Sequence, residues 1–210
     1  SNGKTEMWYV VAADKGAHLK SGFSKQLTPA EYERMVADHT LTDALCDYPV
    51  TAGDLFFLPA GRVHAICAGT FVAEIQQTSD ITYRIYDYGR TGADGKPREL
   101  HTELAKDAID YTVLPDYRSH YAAAKNREVP LVSCPYFETS LYELDAPLSR
   151  DLAALDSFLI VVCLKGSGVL CDDEGDEVPL RRGETLLVPA STRSVQFVPD
   201  PSLKLLTSHL

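Results

Sequence analysis

The chain has 210 residues, 45% of them hydrophobic, and a formal charge of −10 from 20 Lys+Arg against 30 Asp+Glu. That length allows one large domain or two of about 100 residues each, with apolar side chains enough for a core that needs no structural disulfide or metal. The acidic balance argues against a nucleic-acid partner or an anionic membrane surface, both of which are held by a Lys/Arg surplus, and no apolar run approaches the roughly 20 residues of a membrane span. Cys46, Cys67, Cys134, Cys163 and Cys171 are scattered and form no CxxC. They fit core packing in a reducing compartment, so a cytoplasmic protein is expected.

In chain order, residues 6–13 read as a buried strand and Gly16 and Gly22 as punctuation of a loop. A helix start follows: Thr28 can cap, Pro29 suits the first helical position and Glu31 completes a capping box. Leu27 and Tyr32 stand at staple spacing. The helix is predicted to run to about residue 38, with another helical turn at 42–46. Strands are then predicted at 54–58, from His64, at 70–76 and at 81–88. Leu104, Ala108 and Tyr111 stand at helical spacing within 100–111. A polar connection at 112–130 marks a domain boundary. Beyond it come short strands at 131–144, 157–164, 167–171, 177–180, 185–189, 194–199 and 203–208, the pattern of a β-sandwich or barrel.

The two halves echo each other. Gly53-Asp54-Leu55-Phe56-Phe57-Leu58-Pro59-Ala60 matches Gly183-Glu184-Thr185-Leu186-Leu187-Val188-Pro189-Ala190 in spacing and chemistry. This implies a duplicated β unit. The echo breaks just past the turn, where Gly61-Arg62-Val63-His64 faces Ser191-Thr192-Arg193-Ser194. Only the first half carries an imidazole there.

The Gly-Asp-x4-Pro-Ala-Gly-x2-His stretch resembles the second motif of cupin barrels. Two further segments narrow the likeness: Gly3-Lys4-Thr5-Glu6-Met7-Trp8, and residues 74–88 with Glu74, Tyr83, Arg84 and Asp87. Together, in this order, they resemble the type I mannose-6-phosphate isomerases, most closely the bacterial branch. The likeness covers nearly the whole chain and is strongest over residues 3–111.

The resemblance implies a mainly β protein with two cupin-like jelly-roll barrels. The first would span 1–114, with a small helical insertion at about 27–46; the second, degenerate one would span 128–210. It implies a zinc-dependent aldose–ketose isomerase acting on a small sugar phosphate, mannose 6-phosphate to fructose 6-phosphate. Glu6 and His64 take the positions of two of four metal ligands. The other two belong to an upstream Gln-x-His-Pro segment that this sequence lacks, so the chain is expected to be a fragment without the family's first ~100 residues, about one domain's worth. Arg84 takes the place of the active-site arginine, and Lys4 and Glu74 those of pocket residues. Lys4 would share a strand face with Glu6.

Read alone, Glu6 fits a surface carboxylate and His64 a histidine satisfied in a turn. Arg84 fits a partner of Asp80 or Asp87, and Arg62 either a phosphate-binding group or, by default, a surface cation. The remaining histidines read as surface or capping groups. A non-catalytic sugar- or sugar-phosphate-binding cupin module stands as the alternative function. A metal-dependent oxygenase is a weaker third, because its usual His-x-His pair is absent.

Overall fold

The computed structural model describes residues 3–88 and 90–210. The chain is mainly β and divides into two compact units, one ending at Ser119 and one spanning His120–Leu210. Among the described residues no helix is long and apolar enough to cross a membrane, and the five cysteines are free thiols.

The first unit contains β1 (Glu6–Ala13), β2 (His18–Phe23), α1 (Pro29–Ala37), a 3-10 turn (Leu41–Ala44), β3 (Leu45–Pro49), β4 (Leu55–Leu58), β5 (His64–Ile66), β6 (Thr70–Gln76), α2 (Thr102–Ala108) and β7 (Arg118–Ser119). One sheet has the order β6-β1-β4-β7 and a second the order β3-β2-β5. In β1 the residues Met7, Trp8, Tyr9 and Val10 are all buried, which is why the run is continuously apolar rather than alternating. α1 begins as its sequence dictates: Thr28 Oγ1 accepts from the Glu31 amide and the Glu31 carboxylate accepts from the Thr28 amide. Such a cap is worth about 1 kcal/mol. The Leu27–Tyr32 staple lies buried with Phe23, Leu41 and Ala105.

The second unit contains β8 (Glu128–Cys134), β9 (Phe137–Leu144), β10 (Leu148–Asp151), β11 (Leu159–Asp172), β12 (Glu177–Arg181), β13 (Thr185–Val188) and β14 (Ser194–His209). They make one sheet, β12-β11-β14-β9-β8, with β10 on β14 and β13 on β11. Tyr142, Leu159, Val161, Leu180, Phe197 and Leu205 form the centre of its core. No ladder among the described residues closes either set of strands into a barrel.

Several elements differ from their sequence expectations. Residues 81–88 form no strand; the Arg84 backbone pairs instead with His101, whose Nδ1 accepts from the Arg84 amide at 3.0 Å and whose amide donates to the Arg84 carbonyl at 2.8 Å. β2 and β10 replace stretches read as loop, and β3 begins inside the helical turn expected at 42–46. In α2 Ala105 is the buried residue while Leu104 is exposed, so the helix turns a different face inward. The 131–144 run breaks at a turn after Cys134. Conversely, β11 and β14 each run through the gaps expected at 165–166 and 200–202. β11 does so by register shifts around Cys163–Lys165 and Gly166–Gly168, as bulges allow.

The sequence echo is a structural one. In the first unit Thr51 and Asp54 close a turn: the Asp54 amide donates to the Thr51 carbonyl, and the Thr51 amide donates to Asp54 Oδ2 at 2.9 Å. In the second, Arg181 and Glu184 make the same two bonds, the side-chain one at 2.7 Å. Gly53 and Gly183 adopt φ of 100° and 87° in these turns, a region costly for other residues. Gly53 and Asp54 exchange backbone bonds with Val10, and Gly183 and Glu184 with Cys163. Counting back along the two ladders, Glu6 pairs with Leu58 as Leu159 pairs with Val188. Glu6 and Leu159 are therefore equivalent positions, as are His64 and Ser194.

Candidate active site

Glu6 stands at the start of β1 with its side chain fully buried. Strand alternation puts Lys4, Glu6 and Trp8 on one face, and three of their polar groups meet. Lys4 Nζ donates to Glu6 Oε2 at 2.7 Å and to Glu74 Oε1 at 3.2 Å. Trp8 Nε1 donates to Glu74 Oε2 at 2.9 Å, with Glu6 Oε2 at 3.3 Å. Glu74 reaches this cluster because β6 pairs with β1 in the register that sets Trp8 opposite Glu74.

His64 arrives from β5. The Pro59-Ala60-Gly61 turn delivers it, closed by the Arg62 amide donating to the Pro59 carbonyl. Gly61 is required there: its φ is 90°, and a Cβ would lie 2.7 Å from the Ala108 carbonyl oxygen. His64 Nδ1 is 2.7 Å from the Arg62 carbonyl oxygen. A carbonyl only accepts, so the proton sits on Nδ1. Nε2 then faces Glu6 Oε1 at 2.9 Å. That carboxylate oxygen is buried and receives no conventional hydrogen bond. With Nδ1 protonated, a neutral imidazole turns a lone pair toward a carboxylate lone pair. Either a proton on Nε2 or a metal ion between the two removes the conflict.

Burial opposes the negative charge on Glu6, but His64, when its Nε2 carries a proton, and the Lys4 ammonium overcome it and lower the carboxyl to about 2. Burial likewise opposes the charge on Lys4, yet Glu6 and Glu74 raise its pKa above the ordinary lysine value. Lys4 is thus an ammonium group. Two carboxylates against one ammonium leave a negative charge that a cation would balance.

This donor set, an imidazole nitrogen and an orphaned carboxylate oxygen aimed at each other, suits zinc. Among the described residues no group of three or more His, Cys, Asp or Glu side chains gathers as a metal site.

Lys4, His64 and Arg84 line a cavity of about 600 Å³. Glu6 and Glu74 stand behind that wall, holding Lys4, His64 and Trp8. Arg84 is fixed by its backbone pair with His101 and by Nη1 donating to the Glu99 carbonyl at 3.3 Å. Its Nε lies 4.0 Å from Asp87 Oδ1.

Sequence reasoning missed Trp8, His101 and Arg62 as parts of this site. Trp8 carries a signal in hindsight, being two residues from Glu6 on a strand. Arg62, expected at the surface, is buried: its guanidinium lies 4.5 Å from the Tyr117 ring centroid and 3.8 Å from Asp110 Oδ2. Its peptide carbonyl orients the imidazole.

Residues 127–210 match the family model of the mannose-6-phosphate isomerase cupin domain. The chain is 33% identical over 208 residues to the mannose-6-phosphate isomerase of Streptococcus mutans, covering 99% of this chain and 64% of that protein. It is 33% identical over 189 residues to mannose-6-phosphate isomerase ManA of Bacillus subtilis, covering 89% and 59%. The crystal structure of the mannose 6-phosphate isomerase from Bacillus subtilis superposes with a TM-score of 0.87 at 28% identity, covering 99% of this chain and 65% of that one. A mannosephosphate isomerase structure from Archaeoglobus fulgidus, at 18% identity and TM-score 0.74, shares the fold. The chain spans less than two thirds of the length of these relatives.

Proposed function

We propose that the chain belongs to the mannose-6-phosphate isomerase family, whose cupin-domain model and curated members it matches, and that it carries part of the catalytic centre of a zinc-dependent isomerase interconverting mannose 6-phosphate and fructose 6-phosphate. The observation that carries the reading is the buried Glu6 carboxylate facing His64 Nε2, with Lys4 bound to the same carboxylate at the wall of a cavity. The reading includes a cupin-type barrel for each unit, with the site in the first.

Aldose–ketose isomerisation moves a proton between adjacent carbons through an enediolate, so it needs a proton carrier and a holder of oxyanion charge. Glu6 Oε1 and His64 Nε2 are this chain's donors for the metal. Zinc, when bound, supplies Lewis-acid polarisation of the substrate oxygens. The Lys4 ammonium, kept charged by Glu6 and Glu74, donates to a substrate oxygen. Arg84 holds the oxygen that gains charge in the enediolate. Glu74 positions Lys4 and Trp8.

The test is conversion of mannose 6-phosphate to fructose 6-phosphate by the full gene product, before and after chelation. Turnover that disappears with the chelator and returns with zinc supports the proposal. Absence of turnover in the presence of zinc overturns it.

A further inference from the structure

The His64 ring is oriented by a backbone carbonyl, so whatever fixes that carbonyl fixes the aim of Nε2. The carbonyl belongs to Arg62, whose side chain the chemistry above leaves unused. Its guanidinium is 7% exposed and sits over the Tyr117 ring, with Nη2 toward Asp110. Tyr117 is itself immobilised. It is buried, its hydroxyl proton is shared between the Phe23 and Thr112 carbonyls, and its oxygen accepts from the Leu114 amide. Its amide donates to Tyr48 Oη at 2.8 Å. Gly22 passes so close to the ring that a Cβ there would collide with it. The residues on either side of Arg62 are tied to the same surroundings. The Gly61 carbonyl accepts from the Asp110 amide at 2.9 Å, and the Val63 carbonyl from the Gly22 amide at 2.7 Å.

The second copy of the turn shows that the turn alone does not need a buried arginine. Thr192 stands where Arg62 stands. Its amide donates to the Pro189 carbonyl at 3.1 Å, as that of Arg62 donates to the Pro59 carbonyl at 3.0 Å. Thr192 is only partly buried, and Ser194 follows where His64 would be. The buried arginine therefore belongs to the copy that has an imidazole to aim. Energetics points the same way. A buried charge is costly unless it is closely paired and fully hydrogen-bonded. Arg62 has an ion pair at 3.8 Å, and its buried Nε finds no hydrogen-bond partner among the described residues. Attraction to the Tyr117 ring offsets part of that cost, but an apolar side chain would fill the place more cheaply.

We propose that Arg62, clamped by Tyr117 and Asp110, is the positioning residue of His64: it holds its own carbonyl against Nδ1 and so keeps Nε2 aimed at the metal position beside Glu6 Oε1. The metal rests on the isomerase reading; the clamp rests on the contacts of Arg62. The guanidinium acts through the imidazole and not on the substrate. The carbonyl cannot be removed by substitution, but its support can. Altering the outer partners of a metal-binding histidine typically changes metal affinity or activity by about 10- to 100-fold.

Zinc is the probe. Its affinity for the full gene product is measured by competition with a chromophoric chelator, in the wild type, Arg62→Met, Arg62→Lys and Thr28→Ala, beside the denaturant midpoint of each. Arg62→Met keeps the apolar stem and removes the guanidinium. Its zinc affinity should fall about 10-fold, and kcat by a similar factor, with little change in the KM for mannose 6-phosphate. Arg62→Lys returns a cation to the Tyr117 ring and should recover most of the loss. Thr28→Ala weakens the same unit by removing the α1 cap; it should lower the midpoint and leave zinc affinity unchanged. If Arg62→Met does not fold, Asp110→Asn keeps an acceptor for the Thr112 amide and removes only the charge. It should weaken zinc binding about threefold, the scale of a partly exposed ion pair, and unchanged affinity there overturns the clamp. Unchanged zinc affinity in folded Arg62→Met, an equal loss in Thr28→Ala, or no zinc binding by the wild type also overturns it. Zinc-dependent turnover with unchanged zinc affinity in Arg62→Met leaves the isomerase standing and removes the clamp. Arg62-dependent zinc binding without turnover supports the clamp and removes the isomerase.

Discussion

Two turns with the same backbone bonds, at residues 51–54 and 181–184, feed two strands of the same length, yet only the first leads to a charged site. In the first unit Glu6 is buried against His64 and Lys4. In the second the equivalent position is Leu159, 1% exposed and packed among Val161, Val188 and Leu205. Ser194 stands where His64 stands. Opposite Trp8 the first unit has Glu74, and opposite the equivalent Val161 the second has Thr207. The same scaffold is thus closed by apolar packing in one copy and kept polar in the other. Buried ion pairs stabilise little relative to apolar side chains of similar size, so the polar copy is best explained by chemistry rather than by folding.

The largest stability contrast should come from the equivalent pair itself. Leu159→Ala should cost about 2–5 kcal/mol, the usual range for an emptied core site. Glu6→Leu, which installs the second unit's residue, should cost less than Leu159→Ala, because Lys4 keeps Glu74 as a partner and the apolar side chain fills the buried site. Denaturant midpoints of the two variants measure this directly. A large loss of stability in Glu6→Leu would break the equivalence of the two positions.

Acid should sharpen the contrast next. The Glu6 carboxyl titrates near 2 in the folded chain against its ordinary 4.5. A depressed carboxylate adds stability above the unfolded value and loses it as pH falls through the folded one. Wild-type stability should therefore decline between about pH 5 and 2 with a slope that Glu6→Leu lacks. Thermal melts across that window check it.

The smallest effect concerns the shared turn. Gly183→Ala meets no neighbouring atom, so only its left-handed backbone should matter, at about 1–2 kcal/mol. Denaturant melts should give this loss without any change in isomerase KM.

Much of this division was legible in the sequence. The Gly-acid-x4-Pro-Ala echo located both turns, and the missing histidine in the second copy marked which half gathers the buried Glu6–His64 pair. The capping box gave the start of α1 from three residues alone. Glu6, His64, Lys4 and Glu74 do come together around Trp8. Long-range pairing was less legible. Residues 81–88 have strand composition, yet Arg84 pairs its backbone with His101, 17 positions along the chain, rather than with a strand. β2 contains Gly22 and Lys20, and its place in a sheet comes from β3 and β5 rather than from its own pattern. The burial of Arg62 depends on Tyr117, far along the chain.

The central claim is that the polar copy of the repeated unit, and not the apolar one, performs the chemistry. Mannose 6-phosphate turnover in Glu6→Leu/His64→Ser, set beside Leu159→Met/Ser194→Ala, tests it most directly, with both folded at the assay temperature. The first pair should lose at least about 1,000-fold in kcat/KM, as removal of essential charged groups does, while the second stays within twofold of wild type. Retained turnover in the first pair, or equal losses in both, would contradict the account.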